Sequence, residues 1–280
     1  MCMAMSAAFE RLRQTWNELG RDDPLWAVLS HPDKRGGRWD ISEFIQTGER
    51  DVSRLHRAMM ERAAAPSWFR HILDFGCGVG RLSHAWRRRA ARVTGVDISE
   101  GMIEAGRRVF SACSGLELVV NSTHNLKAWD GETFDLVFSY ICLQHMPWGI
   151  AAGYLAEFAR VCCQGGLVAV QIPSHRLDSG GYSLLRRRLV NALPFGLDRR
   201  YRKWRHGAAT AFDMFFTPPP VVIACARSNG LELLHQEADC AAGSETVGFF
   251  YVFRKTPTLP TAAEPEVHTE RICSKSSSLL

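Results

Sequence analysis

The chain has 280 residues, 46% of them hydrophobic, and a formal charge of +5 from 34 Lys/Arg against 29 Asp/Glu. That supplies one sizeable core, and no stretch approaches the roughly 20 uninterrupted apolar residues of a membrane span. The nine cysteines show neither C-x-x-C nor Cys/His metal spacing, so no metal and no disulfide framework are expected, and a reducing, cytoplasmic setting fits.

The opening Met1 to Phe9 runs into Glu10 and Arg11 too early for a secretory apolar region. Residues 1–37 read as a helical extension, and residues 38–255 as the main domain. In Arg38 to Glu49, Ser42 is placed to cap a helix, with Glu43 in its first turn. Trp39 and Phe44 in this stretch are either plain core or a wall of a ligand pocket.

The most informative segment follows. His71-Ile72-Leu73 reads as a buried parallel strand. Asp74-Phe75-Gly76-Cys77-Gly78-Val79-Gly80 is then a glycine turn, and Leu82, Ala85 and Trp86 recur at helical spacing. Strand, glycine turn and helix in that order make the floor of a nucleotide pocket, because glycines admit positive φ and close approach of a ligand. The glycines at 76, 78 and 80 are one position too tight for the dinucleotide pattern G-x-G-x-x-G, and a P-loop is absent. A second acid, Asp97, ends the next strand, Arg92 to Val96. A carboxylate there is a good bidentate acceptor for vicinal hydroxyls and would repel a 2′-phosphate.

Together these motifs resemble the class I S-adenosylmethionine-dependent methyltransferases, most of all bacterial small-molecule methyltransferases. The likeness is close over roughly residues 38 to 175 and looser to about 255. It implies that Asp74 lies near the cationic methionine end of the cofactor and that Asp97 binds the ribose hydroxyls. Gly76, Cys77, Gly78, Gly80, Arg81, Ile98 and Met102 are expected around S-adenosylmethionine. The loop after the third strand usually carries an acid for the adenine amino group; here Ser122 stands in that place, beside Asn121 and Thr123. A hydroxyl or an amide oxygen accepts that hydrogen bond more weakly than a charged group.

Thr133 to Tyr140 resembles the family's fourth strand, and Ser139 and Tyr140 are expected at the pocket. Ile141-Cys142-Leu143-Gln144-His145-Met146-Pro147 follows, where the family often carries a Leu-x-His stretch beside the transferred methyl. His145 is the candidate catalytic base, since an imidazole holds a proton near neutral pH; its alternative role is to orient the loop. Gln144 is expected to line the pocket. The next helix, Leu155 to Cys163, is expected to end at Gly165-Gly166 through a left-handed cap.

Residues 175–206 carry nine Lys/Arg and two Asp, +7 locally against −2 for the remainder. An insertion there, about 175–215, resembles the lids that cover acceptor pockets in these enzymes. Its charge suits a solvated amphipathic helix, an acidic or phosphorylated acceptor, or an anionic membrane surface. Nucleic acid is a weaker fit, because the remainder is slightly acidic and no recognised nucleic-acid-binding module is visible. Gly248 to Arg254 reads as a closing strand, and 256–280 as a disordered tail rich in Thr, Ser, Pro and Ala.

The expected fold is an α/β doubly wound, Rossmann-like sheet, mostly parallel, with one antiparallel strand, an N-terminal helical cap and a basic lid insertion. The expected function is methyl transfer to an O, N or C nucleophile of a small, acidic or lipid-like acceptor. The alternative is a catalytically inactive partner or regulatory subunit that binds S-adenosylmethionine. A nicotinamide oxidoreductase conflicts with the glycine spacing.

Overall fold

The computed structural model describes residues 2–177, 213–243 and 245–257, with side chains from Ser6 onward. The basic insertion, apart from its two ends, and nearly all of the expected tail lie outside the described residues.

Helices α1 (Cys2–Asp22), α2 (Pro24–Val28) and α3 (Ile41–Ala63) precede the sheet. Strands β1 (Phe69–Phe75), β2 (Ala90–Asp97), β3 (Leu116–Val120) and β4 (Phe134–Ser139) then alternate with α4 (Arg81–Trp86) and α5 (Glu100–Val109). Helix α6 (Trp148–Val161), β5 (Cys162–Arg176), α7 (Pro219–Ser228), β6 (Leu231–Asp239) and β7 (Thr246–Lys255) complete the described chain. The seven strands run in the order β3-β2-β1-β4-β5-β7-β6. β7 pairs antiparallel with both β5 and β6, and the remaining pairs are parallel. This is the doubly wound sheet with one reversed strand that the sequence led us to expect.

The apolar runs explain the layering. Phe75, Val137, Val168, Val170 and Tyr251 pack on one face against Tyr154, Leu155 and Phe158 of α6. Ile72, Leu136, Phe138 and Val252 face the other way, against Val52, Leu55 and Met59 of α3 and Trp86 of α4. A central strand buried on both faces reads as continuous apolar sequence, as β1 and β4 do. Strand order reverses between β1 and β4, so a crevice opens at the carboxyl ends of the strands there. Among the described residues, no helix is long and apolar enough to cross a membrane.

Two local expectations, at Ser42 and at Gly165-Gly166, need correction, and of the two alternatives for Trp39 and Phe44 the core packing is found. Helix α3 is capped by Asp40, whose carboxylate accepts from the Glu43 amide at 2.9 Å, and Ser42 lies inside the helix donating its hydroxyl to the same aspartate. A carboxylate out-competes a hydroxyl for this position because its charge also meets the helix dipole. Trp39 and Phe44 form core with Leu19, Trp26 and Met102 rather than a pocket wall. Helix α6 stops at Val161, with Cys162 extended, and Gly165 (φ +73°) sits within the irregular start of β5. Strand pairing with Phe134 ends the helix before the glycines are reached.

Candidate functional site

The crevice holds a cavity of about 710 Å³. Its floor is the turn after β1. Gly76 has φ +73° and Gly78 φ +55°, a region that costs a side-chain-bearing residue and not glycine. At Gly76 a Cβ would also collide with the Sγ of Cys142, so the turn is glycine partly to let the loop after β4 cross it. The amides of Gly76 and Cys77 both donate to the Val96 carbonyl, at 2.8 and 3.0 Å, and the Gly80 amide donates to the Cys77 carbonyl at 2.9 Å. The Gly78 amide donates to Asp97 Oδ2 at 2.8 Å. These four donors are consumed inside the protein, so this turn does not offer the row of amides that a pyrophosphate requires. It suits a ligand without phosphates.

Asp97 stands at the tip of β2 and lines the cavity. Its two oxygens accept from the amides of Gly78 and Ser99 (2.9 Å), and burial raises its pKa against those bonds. Each carboxylate oxygen has two acceptor sites, so both retain capacity for a diol. Ile98 and Asn121 stand beside it. One wall comes from α1, whose Phe9, Leu12 and Trp16 face the cavity. The helix is moored there by Ser99, whose hydroxyl donates to the Trp16 carbonyl at 3.0 Å, and by Asn17, which accepts from the Glu100 amide at 3.0 Å.

Of the residues expected at the site, Gly76, Cys77, Gly78, Arg81, Asp97, Ile98, Tyr140 and His145 line the cavity, as does Gln144. Arg81 lines it with its guanidinium turned to α3, bonding Asp51 at 2.6 Å and Thr47 at 3.2 Å. Six expected residues fall outside the lining. Asp74 is 2% exposed and accepts from the Ser83 hydroxyl at 2.6 Å; burial pushes its carboxyl up to about 7. Gly80 caps α4 and packs on Leu118. Met102 is core beneath α1 and α2, and Ser139 is fully buried at the end of β4. Ser122 and Thr123 are exposed, because Asn121 Oδ1 draws the Thr123 hydroxyl (2.9 Å) into a tight turn that faces solvent. Asn121 itself occupies the cavity in their place.

Sequence reasoning did not find the α1 wall, residues 28–32, Tyr154, Met214 or residues 241–243. Phe9, Leu12 and Trp16 recur at helical spacing, which was a usable signal. The others come from separate elements, with no local pattern to mark them.

At the centre, Leu143–His145 forms a 3₁₀ turn. His145 Nδ1 lies 3.3 Å from the Asp213 carbonyl, and its Nε2 lies 3.1 Å from the Gln144 amide nitrogen. A carbonyl partner requires a proton on Nδ1, which leaves Nε2 to accept from Gln144; the tautomer is assigned from this network. Burial pushes the imidazole down to about 4, so it is neutral at pH 7. Trp16 meets it edge-on, with ring centroids 5.1 Å apart.

Residues 72–166 match the model of a methyltransferase domain. Over 101 residues the chain is 36% identical to a malonyl-[acyl-carrier protein] O-methyltransferase of Salmonella typhimurium, covering 36% of this chain and 38% of that protein. It is 35% identical over 130 residues to a ubiquinone biosynthesis O-methyltransferase of Hahella chejuensis, covering 45% and 52%. These matches make residues 72–166 similar to a methyltransferase domain. The matched part thus spans about two fifths to one half of these two relatives. Among solved structures, the fold resembles magnesium protoporphyrin IX methyltransferase from Synechocystis (TM-score 0.58, 15% identity, 88% of this chain and 99% of that one). It also resembles the N-methyltransferase NodS from Bradyrhizobium japonicum (TM-score 0.56, 12% identity, 87% and 98%). Both of those structures hold S-adenosylhomocysteine.

Proposed function

We propose that this protein transfers the methyl group of S-adenosylmethionine to a nucleophile on a small molecule. The observation that carries the reading is the pairing of Asp97 with a glycine turn whose amides are already satisfied. That combination fits an unphosphorylated nucleoside and disfavours a nicotinamide dinucleotide. When bound, the cofactor supplies an activated methyl on a sulfonium centre, and the protein's main task is alignment. Asp97 would take the ribose hydroxyls, Ile98 would pack beside the nucleoside, and Asn121 would meet the base. Gly76 and Gly78 would admit the ligand to the backbone.

His145 is better suited to position than to deprotonate. Both of its nitrogens have protein partners, and an imidazole that titrates near 4 is a weak base. It would hold the 142–146 loop against residue 213, so that proton removal falls to solvent or to the acceptor's own acidity. Arg176 lines the cavity with its guanidinium 5.8 Å over the Phe216 ring, and no carboxylate among the described residues pairs with it. It would receive an anionic group of the acceptor, in line with an acidic acceptor.

Calorimetric titration with S-adenosylhomocysteine and with NAD is the first test, with binding of the former alone expected. Isotopically labelled S-adenosylmethionine incubated with a small-molecule extract should then give a labelled product one CH2 heavier than its precursor. A folded protein that ignores S-adenosylhomocysteine would remove the reading. One that binds it and methylates nothing would be the binding partner instead.

A further inference from the structure

The cavity extends well past the place of the nucleoside. From β2 to β6 the sheet takes five inter-strand steps of about 4.8 Å, on the order of 24 Å in all. The lining follows that whole span, from Asp97 to Ala241, Ala242 and Gly243 in the turn between β6 and β7. That far turn is tied down by a network drawn from three distant parts of the chain, with Tyr140 and Asp239 buried and Arg54 reaching in from the surface. The Tyr140 hydroxyl donates to Asp239 Oδ2 at 2.8 Å and accepts from Arg54 of α3 at 2.7 Å. Arg54 also reaches Asp239 Oδ2 at 3.3 Å. The other oxygen, Asp239 Oδ1, accepts from the Ala241 amide at 2.9 Å. The Tyr140 ring stacks with Phe138 and meets Phe250 in a T-shaped contact.

Resting on the proposed function, we infer that Tyr140 is a positioning residue for the acceptor: through Asp239 it fixes the 240–243 turn, and the small residues of that turn set the size of acceptor admitted. Tyr140 is the only one of the three network residues that itself lines the cavity, so it joins the wall to its anchor. A hydrogen bond to a carboxylate is stronger than one between neutral groups, which is enough to hold a short turn in one arrangement.

Tyr140→Phe keeps the ring and deletes both bonds. Hydrogen exchange of the amides at 240–246 should accelerate about tenfold or more, while circular dichroism and affinity for S-adenosylhomocysteine stay as in wild type. With a titrated small-molecule extract and labelled S-adenosylmethionine, the apparent KM for the acceptor should rise while kcat holds. Ala242→Phe fills the turn's side of the cavity and should exclude the acceptor with S-adenosylhomocysteine affinity unchanged. Unaltered exchange at 240–246 in Tyr140→Phe overturns the inference. So does loss of S-adenosylhomocysteine binding in Ala242→Phe, which would place the turn at the cofactor end. The reading of the site itself fails separately, through an absence of S-adenosylhomocysteine binding by the wild-type protein.

Discussion

The two ends of the cavity are built in opposite ways. At the β2 end, Gly76, Gly78, Asp97 and Ser99 lie within 24 consecutive residues, and backbone amides there donate to the Asp97 carboxylate and to the Val96 carbonyl. At the β6 end, Arg54, Tyr140, Arg176, Met214 and Asp239 come from five separate segments and meet only through tertiary packing. The first end is a local device that one strand-turn-helix unit carries with it. The second depends on the whole sheet having closed correctly. A scaffold organised this way can keep its donor while its acceptor changes, because the two ends share few residues.

That contrast can be broken most forcefully at Gly76. Gly76→Ala combines positive-φ strain with overlap against Cys142, and should destabilise the fold by about 3 kcal/mol in denaturant unfolding. Cys142→Gly in the same chain should return part of that loss; no recovery would mean that strain alone is at work. Next comes Asp97→Ala, expected to weaken S-adenosylhomocysteine by about 1.5–3 kcal/mol in calorimetry while leaving exchange at 240–246 unaltered. A change at the far turn would show that the ends are coupled.

His145→Ala sharpens the picture at the centre. Turnover should fall about tenfold through lost alignment, short of the ~10²–10⁴ of a true base. Because its imidazole titrates near 4, the wild-type profile of kcat should show no inflection from this group between pH 6 and 8. An effect of the opposite sign, a gain in stability, is expected at Asp74. Its folded pKa of about 7 lies above an unfolded value of about 3.9, so ionisation opposes folding increasingly as pH rises between those values. Asp74→Asn should therefore gain stability relative to wild type at pH 8, visible as ~2–4 °C in Tm per kcal/mol relieved, and the gain should vanish below pH 4.

Legibility in the amino-acid sequence divides along the same line. The sheet, its reversed strand and the roles open to residues 76–78 and 97 follow from alternation of apolar runs with glycine turns, which is short-range information. Met102 and Ser139 lie behind the cavity wall because a motif gives proximity along the chain and not the direction of a side chain. Ser122 lies outside the lining for a comparable reason: the Thr123 hydroxyl bonds Asn121 Oδ1 in a turn that faces solvent. Asp239, Met214 and the 241–243 wall left no trace in the sequence, since nothing in Ala-Ala-Gly distinguishes a specificity wall from an ordinary turn.

The crossing of Cys142 over Gly76 has a further implication for anyone reshaping this protein. The two positions interlock like tongue and slot, one lacking a side chain where the other inserts its sulfur. A library that randomises either site alone will mostly recover failures of folding. Paired randomisation, bulk added at one and removed at the other, is the route by which the middle of the channel can be recontoured.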